Sequence, residues 1–185
     1  MIEKASLLSL WIMVLIQTVL FTIILYQIRS KNTVKSGIPT GLAMPQISIA
    51  DEFGEENNFL NITRNKMTMF CFANHECMFC KQVIPELDRF SSLHPEINIM
   101  IISLGDEESR DLLIKKTLTR LPVFRTSERE VRKRVKIRNF PYGFVLDGDG
   151  IIQKQGVIKK DNLLNWLDAF ANQVNENEVI DLKTN

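Results

Sequence analysis

The chain has 185 residues, room for one domain of ordinary size and an appendage. Its 23 Lys and Arg against 22 Asp and Glu leave a formal net charge of +1, so bulk charge gives no footing for nucleic acid. Three cysteines are too few for a disulfide-stapled scaffold, and the odd count fits one active pair and one spare.

Residues 6–28 contain no charged side chain, a stretch long enough to cross a bilayer as a helix. Trp11 and Tyr26 stand near its ends, where amphipathic rings favour the interface. A cleaved signal peptide would have a shorter apolar core and a small-x-small site; here Arg29-Ser30-Lys31 follows instead, so an uncleaved anchor is expected. Gln17, Thr18 and Thr22 are polar positions of the kind that a span tolerates. Lys4 and the terminal amine precede the span, offset by Glu3, and Arg29, Lys31 and Lys35 follow it. That count alone would put the following domain in the cytoplasm. The cysteine chemistry argued below favours the opposite side, where disulfides form and persist, and the extracytoplasmic face is the expectation adopted.

Residues 29–41 read as a linker, polar and punctuated by Gly37, Pro39 and Gly41. The folded domain is expected over residues 42–172 and a polar tail over 173–185. Within the domain, Ile47–Ile49 predicts a short strand and Asp51–Gly54 a turn. Met67–Ala73 is nearly all apolar, as in a strand buried on both faces. Met78–Leu93 reads as a helix with Val83, Leu87 and Phe90 on one face. A strand over 97–104 and a helix over 106–118 follow, the helix with acidic residues in its first turn. Next come a brief strand over 121–124 and a helix over 128–137, with Ser127 and Glu130 spaced for a capping box. Residues 140–146 and 151–157 predict two strands joined by the Asp147-Gly148-Asp149-Gly150 turn. Asp161 is placed to cap a last helix carrying Leu163, Leu164, Leu167 and Phe170. This alternation implies an α/β fold, a mixed central sheet with helices on both faces.

Chemistry concentrates at Cys77-Met78-Phe79-Cys80, directly between the strand ending at Ala73 and the helix. Two cysteines two residues apart can close a small disulfide and reopen it. The first sulfur falls at a helix N-terminus, where free N–H groups and the helix dipole favour thiolate over thiol. Two core cysteines, or half of a metal site, would give the same spacing. Cys71, inside the apolar strand, reads as a small buried hydrophobe. The basic run Arg129, Arg132, Lys133, Arg134, Lys136 and Arg138 reads as a solvated helix face, with Val131, Val135 and Ile137 turned inward. Steering of acidic substrates or lipid headgroups is its alternative use. No Gly-rich phosphate loop, Ser-His-Asp set or zinc quartet is present.

Several further residues carry a resemblance. Lys81 follows the second cysteine, and Pro85 stands five residues beyond it in the helix. Pro141 opens a strand within Phe140-Pro141-Tyr142-Gly143-Phe144-Val145-Leu146-Asp147, and Gly156 lies in the last strand. Gly41–Pro45, Ile47–Asp51 and Gly54 form the opening segment, and a helix is inserted over 106–118. The chain thereby resembles the thioredoxin fold, and within it the membrane-tethered TlpA/ResA-like branch. It is most similar there to the MauD accessory proteins of methylamine dehydrogenase. The resemblance implies a cis bond before Pro141, where the sequence alone equally permits a trans proline at a strand start. It implies that Cys77 exchanges with a partner disulfide and Cys80 resolves the mixed disulfide. Phe140 would pair with the substrate backbone like an added strand, with Met78 and Phe79 as further substrate contacts. No cofactor beyond the Cys77–Cys80 pair is implied. The partners implied are an exported cysteine-containing protein or peptide and a membrane redox protein, with a role in maturing that client.

The chain also departs from the family pattern. Glu76 replaces the usual tryptophan, and no proline stands between the cysteines. Cys71 occupies the place, six residues before Cys77, of the family's buried acid. Glu76 and Glu86 are the substitute bases on offer, though solvated glutamates are the plainer reading. The runner-up function is a Cu(I) metallochaperone using Cys77, Cys80, His75 and Met78. His94, at the far end of the helix, lies roughly 20 Å from Cys80 by helical rise and would not contribute.

Overall fold

A computed structural model of the chain describes residues 11–24, 36–63, 66–95, 97–163 and 165–167. The chain divides into two units, Met1–Lys35 and Ser36–Asn185. In the first, residues 11–24 form a helix, α1, exposed along its whole described length. Thr18 and Thr22 donate their hydroxyl hydrogens one turn back, to Val14 O at 3.0 Å and Thr18 O at 2.8 Å, so the helix satisfies both hydroxyls itself. Among the described residues no helix is long and apolar enough to cross a membrane. The expected span, 6–28, runs past the described helix at both ends.

The second unit is built on a seven-stranded sheet. In chain order the strands are β1 (Ser48–Ala50), β2 (Glu56–Asn58), β3 (Thr68–Ala73), β4 (Asn98–Leu104), β5 (Val123–Thr126), β6 (Tyr142–Leu146) and β7 (Ile152–Val157). They lie side by side as β2-β1-β5-β4-β3-β6-β7. The central pairs β3–β4 and β4–β5 are parallel; β3–β6, β6–β7, β1–β5 and β1–β2 are antiparallel. Parallel neighbours need a crossover, and two helices supply it: α3 (Met78–Leu93) between β3 and β4, and α4 (Glu107–Thr117) between β4 and β5.

All six residues of β3 are buried, as its unbroken apolar run requires. Alternation then sorts them: Met69, Cys71 and Ala73 face one layer, Phe70 and Phe72 the other. The first layer holds α3, with Cys80, Val83, Ile84 and Leu87 turned inward, and Trp166 and Leu167 of α6, a helix described over 160–163 and 165–167. The second holds Val131 and Val135 of α5 (Glu128–Val135) and the segment before β1. The basic run on α5 is therefore a solvated face over two buried valines, as its spacing predicts.

Several boundaries differ from expectation, each for a local reason. The strand β2 and the short α2 (Phe59–Thr63) carry no periodic signal; polar Glu56-Asn57-Asn58 is held at the sheet edge by pairing with β1, and Phe59 anchors the turn at 1% exposure. The strand expected over 121–124 starts at Val123, since Pro122 precedes it and cannot donate to the ladder. Ser127 stands at the N-cap of α5 but its side chain makes no capping bond. Glu130 does not reach back to complete a capping box; its carboxylate accepts the Ser48 N–H at 3.2 Å. The last turn of α5 widens, with Lys136 N–H bonded to Val131 O at 2.8 Å, and ends where Lys136 turns left-handed. Asp161 lies inside α6 rather than ahead of it; Lys159 stands just before the helix, and Asn162 Oδ1 reaches back to accept its N–H at 2.7 Å.

Residues 36–41, read as the end of a linker, are bonded onto the domain. Gly37 N–H reaches Lys136 O, Gly41 N–H reaches Ile152 O, and the Tyr142 hydroxyl donates to Ser36 O at 2.6 Å. Gly37 has a φ of +91°, and a Cβ there would sit on the Tyr142 hydroxyl, so only glycine fits. Phe170 and the tail lie outside the described residues.

Candidate active site

Where β3 leaves the sheet, a four-residue turn aims the chain into α3. Asn74 builds it: its Oδ1 accepts Glu76 N–H at 2.9 Å and its carbonyl accepts Cys77 N–H at 3.1 Å. Cys77 follows as the N-cap of α3, with extended backbone (φ −70°, ψ 113°). A cysteine takes the position that serine or aspartate commonly fills. Its Sγ does the capping, accepting the Cys80 N–H at 3.2 Å.

Cys77 is partly exposed and Cys80 is fully buried, one turn further in. Across the cleft, Cys77 Sγ donates to Phe140 O at 3.4 Å. The Phe140–Pro141 bond is cis, and Pro141 is buried. All three cysteines are free thiols in this structure. Burial, above all, pushes the Cys80 thiol far up from its ordinary range, with the Cys77 hydrogen bond and nearby Cys71 acting the same way and the Asn74 N–H opposing them. Cys71, wholly buried, is pushed up to about 12 by desolvation and by Cys77. The two sulfurs of the pair thus differ as a dithiol exchanger requires: one within reach of a partner, one held back as a neutral thiol.

Met78 and Phe79 project from the first turn of α3 at 71% and 66% exposure, large apolar side chains left open to solvent next to Cys77 in the chain. Phe79 walls a groove of about 910 Å³ that runs from Cys77 past Phe140 and Pro141 to Val157 and Ile158. The predicted site residues Cys77, Phe79, Phe140 and Pro141 are therefore brought together there; Met78 lies outside the groove lining. Sequence reasoning missed Asn74, whose turn chemistry was the available signal, and the groove residues from β7 onward, which carried none.

The remaining candidates sit apart from this geometry. Glu76 is open to solvent, its carboxylate 3.9 Å from His75 Nε2. Glu86 faces Lys160 at 3.9 Å. His75 Nδ1 is buried with no hydrogen-bond partner, and its carbonyl accepts Lys116 Nζ at 3.3 Å. Among the described residues, no group of three or more His, Cys, Asp or Glu side chains is placed to hold a metal ion.

Fold and site together define the class. Residues 61–171 match the family model of the thioredoxin-like domain, and the chain belongs to that family. No curated protein matches it closely enough to count as a relative. Among solved structures it resembles the thioredoxin domain of a thiol-disulfide oxidoreductase from Bacteroides vulgatus, at 21% identity and a TM-score of 0.62 over 72% of this chain and 98% of that one. A thiol:disulfide interchange protein from Bacteroides sp. gives 20%, 0.62, 73% and 91% in the same order. StoA from Bacillus subtilis gives 21%, 0.53, 66% and 96%. At these identities the likenesses show the thioredoxin-like fold, in proteins that are themselves named for thiol–disulfide exchange.

Proposed function

We propose that the protein exchanges disulfides with cysteine-containing protein substrates through Cys77 and Cys80. One observation carries the reading: a half-open Cys77 sulfur caps α3 beside the Phe140 carbonyl, with the buried Cys80 one turn behind it. In the reducing direction, Cys77 thiolate attacks one sulfur of a substrate disulfide. That S–S bond breaks, its other sulfur leaves as a thiolate, and Cys77 is joined to the substrate. Cys80 then gives its proton to solvent and attacks the Cys77 sulfur. The second substrate thiolate departs, the substrate has gained two electrons, and the enzyme holds a Cys77–Cys80 disulfide. Oxidation of a client dithiol is the same path reversed.

Segment 6–28 tethers this domain to a membrane with the cysteines on the extracytoplasmic side, where client disulfides persist; the uncharged stretch supports the tether. The client is an exported protein in maturation, the role that the likeness to the MauD accessory proteins suggests, with a membrane redox protein resetting the pair.

Trapping tests the exchange. Cys80→Ser should accumulate a mixed disulfide at Cys77 with a disulfide-bearing peptide, seen as an adduct by mass spectrometry, and Cys77→Ser should form none. Absence of an adduct on the first variant would remove Cys77 as the exchanging sulfur. Labelling of Cys77 in intact cells by a membrane-impermeant maleimide, with or without prior mild reduction, checks the orientation; labelling only after lysis would reverse it.

A further inference from the structure

The groove beside Cys77 carries a charge pattern that the exchange chemistry does not need. Its floor is apolar, from Phe140, Pro141, Val157 and Ile158. Its rim carries three cations, Arg138, Lys159 and Lys160, against the single carboxylate of Asp161. All four of these side chains belong to exposed residues. Lys160 is 3.9 Å from Glu86, whereas Arg138 and Lys159 have no ion-pair partner among the described residues. The positive run of which Arg138 is the last member is only partly paired. There Arg132 is bonded to Glu128 at 2.6 Å, and Arg134 is spread between Glu130 at 3.7 Å and the Gln46 carbonyl at 2.8 Å. What sets Arg138, Lys159 and Lys160 apart is their place: all three line the groove that begins at Cys77, in a chain whose net charge is only +1.

From this geometry we infer that the groove selects polypeptide segments in which the reacting cysteine is flanked by Asp or Glu, with an apolar neighbour seated against Phe140 and Ile158. The inference rests on the exchange reading and names its substrate class. Arg138 lies two residues before Phe140, and Lys159 and Lys160 lie directly after Ile158, whose N–H is bonded to Pro141 O at 3.0 Å, so two neighbouring segments bring positive charge to the groove. A segment lying in the groove along Phe140 meets these cations. Rim charges of this kind act on encounter and register, and their effect falls with ionic strength.

The test uses the full chain in non-ionic detergent. Two peptides are compared, each carrying its cysteine as a mixed disulfide with the same small thiol and differing only in Glu or Lys at the flanking positions. Stopped-flow rate constants at low salt should favour the Glu peptide by about tenfold, with the ratio falling towards one at high salt. Arg138→Glu with Lys159→Glu should invert the preference. Equal rates for the two peptides at low salt, measured on the unaltered protein, overturn the inference even if the double variant does not fold. An uncharged disulfide, 2-hydroxyethyl disulfide, separates the two levels. If it reacts at Cys77 while the peptides show no preference, only the groove assignment fails. If it does not react at all, the exchange reading fails and the groove assignment with it.

Discussion

On one face of the sheet the core gathers five buried rings, Phe59, Phe70, Phe72, Tyr142 and Phe144, among its aliphatic residues; on the other it is largely aliphatic and holds two buried cysteines. Phe59 meets Phe70 edge-on at 4.7 Å between ring centroids, and Phe72 meets Phe144 at 5.8 Å, with Tyr142 beside it. Across the sheet, Cys71 and Cys80 lie among Val83, Ile84, Leu87 and Ile101 under α3. Adjacent residues of the same strand supply both layers, Phe70 and Phe72 to one and Cys71 to the other. The aromatic layer contains no cysteine and no group of the proposed exchange apart from Phe140, which touches both layers. What the difference teaches is a division of labour: one face fixes the sheet by large interlocking rings, which leaves the other free to bury two thiols at a helix start.

The most forceful way to break this comparison is to truncate the aromatic layer. Phe72→Ala should destabilise the domain by about 3–5 kcal/mol. The rate at Cys77 per folded molecule, measured with an uncharged disulfide, should stay within about threefold of the original. A larger fall would mean that the two faces are not separable. The sulfur-bearing layer is sharpened by alkali. Cys71 is pushed up to about 12, so the folded state holds its proton more tightly than the unfolded chain does. That contribution is intact below the ordinary thiol range near pH 9 and is lost as pH rises from there towards 12. Between pH 8 and pH 10.5 the original chain should therefore lose about 2 kcal/mol more than Cys71→Ala, read by denaturant titration. An equal loss in both would remove Cys71 from the account. The smallest effect belongs to the outer surface of the aromatic face. Glu128→Ala breaks the exposed pair with Arg132 and should cost no more than about 0.5 kcal/mol, with exchange untouched.

Much of this layout was legible in the chain. The helix α3 begins and ends where its periodicity and the Cys77 junction predict. The two-sided apolar run gave β3, and the Asp147–Gly150 turn gave the β6–β7 hairpin; Asp147 Oδ1 accepts the N–H groups of Asp149 and Ile151 there. The failures have a common cause. Glu130 had a local partner in the capping box, and a distant one, the Ser48 N–H, won because β1 and α5 are brought side by side in the fold. Likewise β2 exists only because β1 offers it an edge.

By itself the sequence determined most of the strands and helices, β2 and α2 excepted, and that two cysteines would stand at a strand-to-helix junction. Those features are set by near neighbours, through side-chain period, turn chemistry and capping. Only the tertiary structure decided that Cys77 would lie against the carbonyl of Phe140, 63 residues away, and that Arg138 and Lys159 would flank the same groove. The pairing of β3 with β6 and of β6 with β7 carries those segments to the mouth of α3. Strand pairing is chosen by burying both faces of the whole sheet at once, and no short stretch of chain records that choice.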